Sequence, residues 1–237
     1  MKFVLISDTH GRHFHIKNLP PGDVIIHAGD ITTNGNLFEV INFLHWFSAL
    51  KYKYKILIAG NHDRYLESIS KTKAEKDLFK NGVYYLNDSG IDLAGIRIWG
   101  TPVQPEHNNW AFNKKRGKEI KKHWDLIPNN VDILITHGPS HGFRDYTHNK
   151  LNVGCWDLHT KLSTLKPKYH VFGHVHESYG TIKDKESGVI HINASLLDRE
   201  KKLSNKPLSI TISPKVLTSR TSVKKIESNQ PFIKKHV

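Results

Sequence analysis

Cysteine is all but absent from this chain of 237 residues, and the lone Cys155 excludes an intrachain disulfide framework. Long apolar runs are missing too, since none approaches the roughly 20 residues that cross a bilayer as a helix. The opening MKFVLISDTH meets a carboxylate and a histidine after a short apolar stretch, so it reads as a first strand and not as a secretory signal. These absences lead us to expect a cytoplasmic protein that does not enter a membrane. No internal repeat is visible, which excludes a repeat array. Acidic residues are in deficit, 22 Asp and Glu against 35 Lys and Arg, for a formal charge of +13. Such a surplus attracts polyanions through a salt-dependent field. Its distribution tempers that reading, because residues 198 to 237 hold ten Lys or Arg and three Asp or Glu, a balance of +7 that leaves +6 for the first 197 residues.

Chain length suits one sizeable core. We assign residues 1 to 213 to a single domain and 214 to 237 to a basic C-terminal tail, solvated and partly disordered, with nucleic acid as a candidate contact. Apolar runs at 2 to 7, 24 to 28 and 54 to 59 read as buried strands. Residues 37 to 50, LFEVINFLHWFSAL, carry apolar side chains at helical spacing, and the polar stretch 64 to 80 also reads as helical. Residues 83 to 86 and 91 to 99 resemble a strand pair around an Asn-Asp-Ser-Gly turn. A long polar loop covers 100 to 117, a kind that is often functional in a compact domain. Helices are expected at 118 to 125 and 156 to 165, and strands at 131 to 136 and 169 to 172. The segments 179 to 183, 189 to 192 and 208 to 213 read as short strands of a second sheet. Alternating strands and helices followed by a strand-rich end fit an α/β fold, two sheets packed face to face with helices outside.

Five of these runs end in polar clusters: Asp8-Thr9-His10, Gly29-Asp30, Gly60-Asn61-His62-Asp63, Thr136-His137-Gly138-Pro139 and Gly173-His174-Val175-His176. Open α/β sheets place their sites at such strand ends. Asp8 and His10 are two apart, so an extended backbone sends both side chains to one face, and His174 and His176 repeat that spacing. A single Asp-x-His or His-x-His pair is as readily surface or turn chemistry; five clusters in order make coincidence implausible. Oxygen and nitrogen donors without thiolate favour Mn, Fe, Zn, Mg or a mixture over a structural zinc knot. Two ions roughly 3.5 to 4 Å apart require a shared ligand, and Asp30, directly after a glycine at a strand end, is nominated for it. Glycines 29, 60 and 173 allow the backbone to turn tightly there.

This series of clusters resembles the calcineurin-like metallophosphoesterase superfamily. Longer strings resemble its branch of vertebrate brain and fetal-brain metallophosphoesterase-domain proteins: SDTHGR at 7 to 12, YKILIAGNHD at 54 to 63, THGPSHGFRD at 136 to 145 and HVFGHVHESYG at 170 to 180. With WGTP at 99, NNWAFN at 108 and INAS at 192, the resemblance extends over about residues 2 to 213. It implies a calcineurin-like four-layer α-β-β-α sandwich of two mixed β-sheets flanked by helices. It further implies that Asp8, His10 and His176 hold a first divalent ion, that Asn61, His137 and His174 hold a second, and that Asp30 bridges them. His62 would stand beside the substrate phosphate. Some brain members carry glycine where this chain has His174, which weakens their second site; the histidine here implies a complete pair, Mn2+ or a mixed Mn/Fe/Zn/Mg pair. The stretch GDITTNG at 29 to 35 lacks the aspartate and arginine that phosphoprotein phosphatases carry after the bridging carboxylate, which argues against a protein-phosphatase function.

Two cations so placed lower the pKa of a bridging water, whose hydroxide attacks phosphorus, and they neutralise the phosphate oxygens. His62 can stabilise those oxygens or protonate the leaving alkoxide. Asp63, next in the chain, is a candidate to orient its ring. Arg12 and Arg144 are candidate substrate contacts, each with an ordinary structural reading beside it. Trp99, His107, Asn109, Trp110 and Phe112 form a stacking wall or simply pack the long loop, while His141, Phe143 and Asp145 lie close enough in sequence to His137 to border the same pocket. The expected function is therefore a dinuclear-metal-dependent phosphodiesterase for small phosphodiesters, with cyclic nucleotides suggested by the branch resemblance. A nuclease that holds DNA or RNA through the tail is one alternative, and a non-catalytic scaffold on the same fold is another. The presence of all the proposed ligands and His62 tells against the scaffold.

Overall fold

In the computed structural model, residues 1–215, 223–226 and 228 are described. The chain begins β1 (Lys2–Ile6), β2 (Val24–Ala28), α1 (Leu37–Ala49), β3 (Tyr54–Ile58), α2 (Arg64–Ser68), α3 (Lys71–Phe79) and β4 (Val83–Tyr85). It continues through β5 (Ser89–Leu93), β6 (Ile96–Thr101), β7 (Gln104–Pro105), β8 (Asn113–Lys114), α4 (Lys118–Asp125), β9 (Ile133–Thr136) and α5 (Trp156–Leu165). The last strands are β10 (Tyr169–Phe172), β11 (Gly180–Lys183), β12 (Ile190–Asn193), β13 (Leu208–Thr211) and β14 (Val223–Ile226). One sheet has the order β13-β1-β2-β3-β4, a second has β11-β12-β10-β9-β6-β5-β14, and β7 pairs with β8 apart from both. Both large sheets mix parallel and antiparallel pairs.

Side-chain parity turns these sheets into four layers. Along β1, Phe3 and Leu5 enter the core between the sheets, while Val4 and Ile6 face the helices outside, as period-two alternation requires. Ile133 and Ile135 of β9 meet the same inner core, and Leu134 turns outward to join Trp99, Ile120, Trp124, Leu158 and Leu162 beneath α4 and α5. Burial on both faces explains why β1, β2 and β3 are near-continuous apolar runs. Helix α1 covers the first sheet with Val40, Phe43, Leu44 and Phe47, an i, i+3, i+4, i+7 stripe. Asn36 starts it through a reciprocal capping box with Glu39. Thus the α/β sandwich of two mixed sheets flanked by helices, expected from the sequence, is the fold observed.

Three local expectations are corrected. The 64 to 80 stretch is two helices, broken where Ser70 takes an extended conformation and accepts the Lys73 N–H as N-cap of α3. The expected pairing of 83 to 86 with 91 to 99 does not form, because β4 lies in the first sheet and β5 in the second. The hairpin is β5 with β6, turning at Ala94 and Gly95 with φ of 52° and 83°, both in the left-handed region that suits a tight hairpin. Asn87 and Asp88 instead mark the crossing between sheets. Finally, β13 pairs antiparallel with β1, Leu208 opposite Leu5, so it extends the first sheet and not the second. Short amphipathic strands carry no signal of which sheet edge they will join. Within the stretch expected as a tail, Val223–Ile226 pairs with β5; residues 216–222, 227 and 229–237 lie outside the described residues. No helix among the described residues is long and apolar enough to cross a membrane.

Histidines on the outer face of the second sheet form a buried chain. His170 Nδ1 is 3.1 Å from His191 Nδ1, and His170 Nε2 is 2.8 Å from the Thr136 hydroxyl, which donates to the Gly138 carbonyl at 2.7 Å. The single hydroxyl proton being spent on Gly138, His170 Nε2–H donates to Thr136 and His191 Nδ1–H donates to His170. Burial holds His170 well below the ordinary 6.5, with His191 adding to the effect, and burial lowers His191 to about 4. Below pH 6.5 the unfolded chain takes up protons that the folded chain refuses, so stability falls as the pH drops towards 4. Urea unfolding should lose roughly 3 kcal/mol through His191 over that window, and His191→Asn should remove that share of the pH dependence. Parallel curves for the variant and the wild type would contradict it.

Candidate metal centre

Loops leaving β1, β2, β3, β9 and β10 converge at one edge of the sandwich. The first two are laced together by backbone bonds, from Asp8 N–H to the Gly29 carbonyl and from His10 N–H to the Asp30 carbonyl, each 3.0 Å. Asp8, His10, Asp30 and His174 have φ of 53°, 39°, 58° and 68°. Asp8 and His10 therefore reach a common space through left-handed turns, not through the strand alternation expected from their spacing; His176 lies in a short 3-10 turn. Such conformations are costly for non-glycine residues and persist where the surroundings enforce them. Glycine is needed beside them: a Cβ on Gly60 would overlap Asp30 Oδ1, and one on Gly173 would overlap Asp8 Oδ2.

Asp63 supplies much of that enforcement. Its Oδ2 accepts the N–H groups of Gly60, Asp30 and Ile31 at 2.7, 3.0 and 3.3 Å, and its Oδ1 accepts the Thr32 N–H and hydroxyl at 3.0 and 2.7 Å. Burial and then the charge of Asp30 raise Asp63 to about 7, against the pull of the Gly60 and Thr32 donors. Five donors aimed at its oxygens suit the carboxylate form. Asp63 does not orient the His62 ring, as its place in the sequence suggested. That ring is held by its own Nδ1–H, which donates to the Thr33 carbonyl at 2.7 Å.

Three histidines present one nitrogen inward and anchor the other on a backbone carbonyl. His10 Nδ1 donates to Thr32 at 3.1 Å, His137 Nδ1 to Ala28 at 2.9 Å and His176 Nδ1 to Asp198 at 3.0 Å. The inward nitrogens face carboxylates: His10 Nε2 is 3.5 Å from Asp30 Oδ2, His137 Nε2 is 3.4 Å from the same oxygen, and His176 Nε2 is 3.5 Å from Asp8 Oδ1. Asn61 Oδ1 lies 2.9 Å from both His137 Nε2 and His174 Nδ1. Carbonyl anchoring of the outer nitrogen is how metal-ligating imidazoles are oriented. Three groups have ligand atoms within 4.8 Å of one another: Asp8, His10 and His176; His10, Asp30 and His62; and Asp8, Asp30 and His137. The donor set fits divalent ions, with Asp30 shared between two groups.

The charges balance only in part. Burial alone would raise Asp8, but the hydrogen bond and charge of His176 hold it below the usual carboxylate range. Asp30 is likewise lowered despite burial, by the charge and hydrogen bond of His137 and then by His10. His137 is raised to about 9, the attraction of Asp30 outweighing burial. Burial depresses His10 to about 4 and His174 to about 3, the second with a further push from His137. Neutral imidazole is the form that ligates a metal.

His62 stands at the edge of this cluster, its ring 4.6 Å from His10 and tilted against Trp110 at 4.1 Å. The Arg64 guanidinium also lies over Trp110, 4.8 Å from the ring centroid. The remaining aromatics of the supposed wall do not join it, Trp99 and Phe112 being buried in separate cores. Arg12 is exposed two residues beyond His10. Arg144 is drawn away, donating to the Tyr179 and Thr181 carbonyls at 3.4 and 2.8 Å, while His141 stacks on Trp156 and Phe143 on His191.

A cleft of about 620 Å3 opens beside His174, lined by Gln104, His107, Arg116, His148 and Glu177 among others. Volumes of this order suit small-molecule ligands. Neither amide atom of the buried Gln104 has a hydrogen-bond partner. Sequence reasoning missed Gln104 and Arg116 in the long-loop region, and also Lys201, whose ammonium lies 3.0 Å from His10 Nε2 and 3.4 Å from His176 Nε2. Lys201 lies among the lysines counted as bulk basic charge, and no local pattern sets it apart. Asn193 of the INAS string has a structural place, donating to the Val175 carbonyl at 2.8 Å and so holding the GHVH loop.

Comparison with known proteins agrees with this geometry. The chain is 41% identical over 234 residues to human metallophosphoesterase domain-containing protein 1, covering 89% of this chain and 71% of that protein. It is 40% identical over 240 residues to a UPF0046 protein of Caenorhabditis elegans, covering 90% of this chain but only 60% of that relative's length. A crystal structure of a Thermus thermophilus protein matches with a TM-score of 0.55 at 11% identity, over 86% of this chain and 96% of that one, a likeness of fold alone. The ligand clusters and the fold together support metal-dependent phosphoesterase chemistry. The calcineurin-like phosphoesterase family model matches residues 1–178, and the chain belongs to that family.

Proposed function

We propose that this protein is a two-metal phosphodiesterase for small phosphodiesters, with cyclic nucleotides as the leading candidates and Mn2+ or a mixed Mn/Fe/Zn/Mg pair as the ions. The observation that carries the reading is the set of anchored imidazoles facing Asp8 and Asp30. In this reading Asp8, His10 and His176 hold one ion, Asn61, His137 and His174 the other, and Asp30 lies between. Ions held there supply neutralisation of phosphate charge and activation of a water nucleophile. Asn61 presents its carbonyl oxygen inward, and the carbonyl anchors keep the His10, His137 and His176 rings from turning away. His62, with Nδ1–H spent on Thr33, has Nε2 free to donate in its protonated form to a phosphate oxygen or the leaving alkoxide. Arg12 remains a candidate phosphate contact. Arg144 commits Nη1 and Nη2 to the residue before β11 and to β11, so we give it the task of holding that strand, while its buried Nε has no hydrogen-bond partner among the described residues. The cleft beside His174 offers room for a leaving group of nucleotide size.

A hydrolysis panel tests this directly, comparing bis-para-nitrophenyl phosphate, para-nitrophenyl phosphate, 2′,3′- and 3′,5′-cyclic nucleotides and single-stranded nucleic acid with Mn2+, Mg2+, Ni2+, Zn2+ and Fe2+. Small diesters should be cleaved fastest; cleavage of polymer alone would favour the nuclease. Asp30→Asn should lower both metal content and turnover, the latter by a hundredfold or more on the scale of a lost electrostatic stabiliser, roughly 10² to 10³. His62→Ala should keep its metals while turnover falls roughly 10² to 10⁴-fold. Full diesterase activity in Asp30→Asn would sink the proposed centre.

A further inference from the structure

We propose that Lys201 is a substrate-phosphate ligand of this site, a third cation that meets the phosphate oxygens from the side of His10 and His176; this rests on the two-metal reading above. Its placement is built and not incidental. Lys201 has φ of 60° within a tight turn in which its N–H donates to the Asp198 carbonyl at 3.0 Å, and the Asp198 N–H donates to the Lys202 carbonyl at 2.9 Å. The Asp198 carboxylate closes the turn, accepting the N–H groups of Glu200 and Lys202 at 2.9 Å each and the Ser204 hydroxyl. The same Asp198 carbonyl anchors His176 Nδ1. One turn therefore orients a metal ligand and aims an ammonium at the mouth of the centre.

The ammonium sits against the Nε2 atoms of His10 and His176, whose lone pairs are the ones a divalent ion uses. Lys201 must give way there once the cluster is loaded, since like charges exclude one another from a shared set of lone pairs. The residue is exposed, and a flexible four-carbon stem lets the charge swing outward while the turn keeps the Cα fixed. Swung outward, it can meet a phosphate oxygen of an ester held at the cluster. Lys202, in the same turn, points elsewhere, its ammonium 2.6 Å from Glu200.

Titration calorimetry on the full chain tests the assignment, first with Mn2+ and then, on the Mn2+-saturated protein, with orthophosphate as the probe. Lys201→Met should bind Mn2+ at least as tightly as the wild type, because a competing cation is gone. It should bind orthophosphate tenfold or more weakly, and kcat/KM for bis-para-nitrophenyl phosphate should fall by a similar factor. Lys201→Arg should recover part of both losses, and Lys202→Met, which removes the same charge from the same turn, should stay within twofold of the wild type. Orthophosphate affinity in Lys201→Met equal to that of Lys202→Met would overturn the assignment while leaving the two-metal reading intact. A wild type that takes up none of Mn2+, Fe2+, Zn2+ or Mg2+ would overturn that reading itself, and the role of Lys201 with it.

Discussion

Asp8 and Asp30 hold two carboxylates in one cluster out of water, at 0% and 2% exposure, and like charges in such a place demand positive partners. Protein groups meet that demand incompletely. His137 and His176 are drawn towards the protonated form, whereas burial keeps His10 and His174 neutral. Lys201 contributes one further positive charge from the rim. A pair of divalent ions would satisfy both carboxylates and all the inward nitrogens at once.

The sandwich exists in a form that brings those groups together. Parallel strands of both sheets end at a common edge, so loops distant in sequence share one space. The turns needed to converge are strained for aspartate and histidine, and Asp63 counters that strain with five accepted hydrogen bonds tying the loops after β2 and β3. Asn193 does similar work for the GHVH loop. The site is thus held by side chains that touch no substrate, and its geometry depends on backbone groups as much as on the ligands.

Much of this was legible in the residues. Strong apolar runs with polar clusters at their ends marked β1, β2, β3, β9 and β10, and the donors at those ends were identified as a metal constellation. What could not be read were features set by tertiary choice. Nothing in Leu208–Thr211 says which sheet it joins. The crossing at Asn87 and Asp88 has turn chemistry indistinguishable from that of a hairpin. Asp63 looked like a partner for its neighbour His62, yet a residue's nearest neighbours in sequence point in different directions when the backbone turns sharply. Lys201 and Gln104 are set apart by position only, and position is what sequence spacing does not report across such distances.

The most direct test is a metal titration of chelator-treated protein, following Mn2+ uptake and bis-para-nitrophenyl phosphate hydrolysis in the same samples. The expected result is negligible hydrolysis without metal and a rise that reaches its plateau when about two ions per chain are bound, the stoichiometry of a two-metal centre. Full hydrolysis by the stripped protein, or an activity plateau at a single ion, would contradict a dinuclear mechanism.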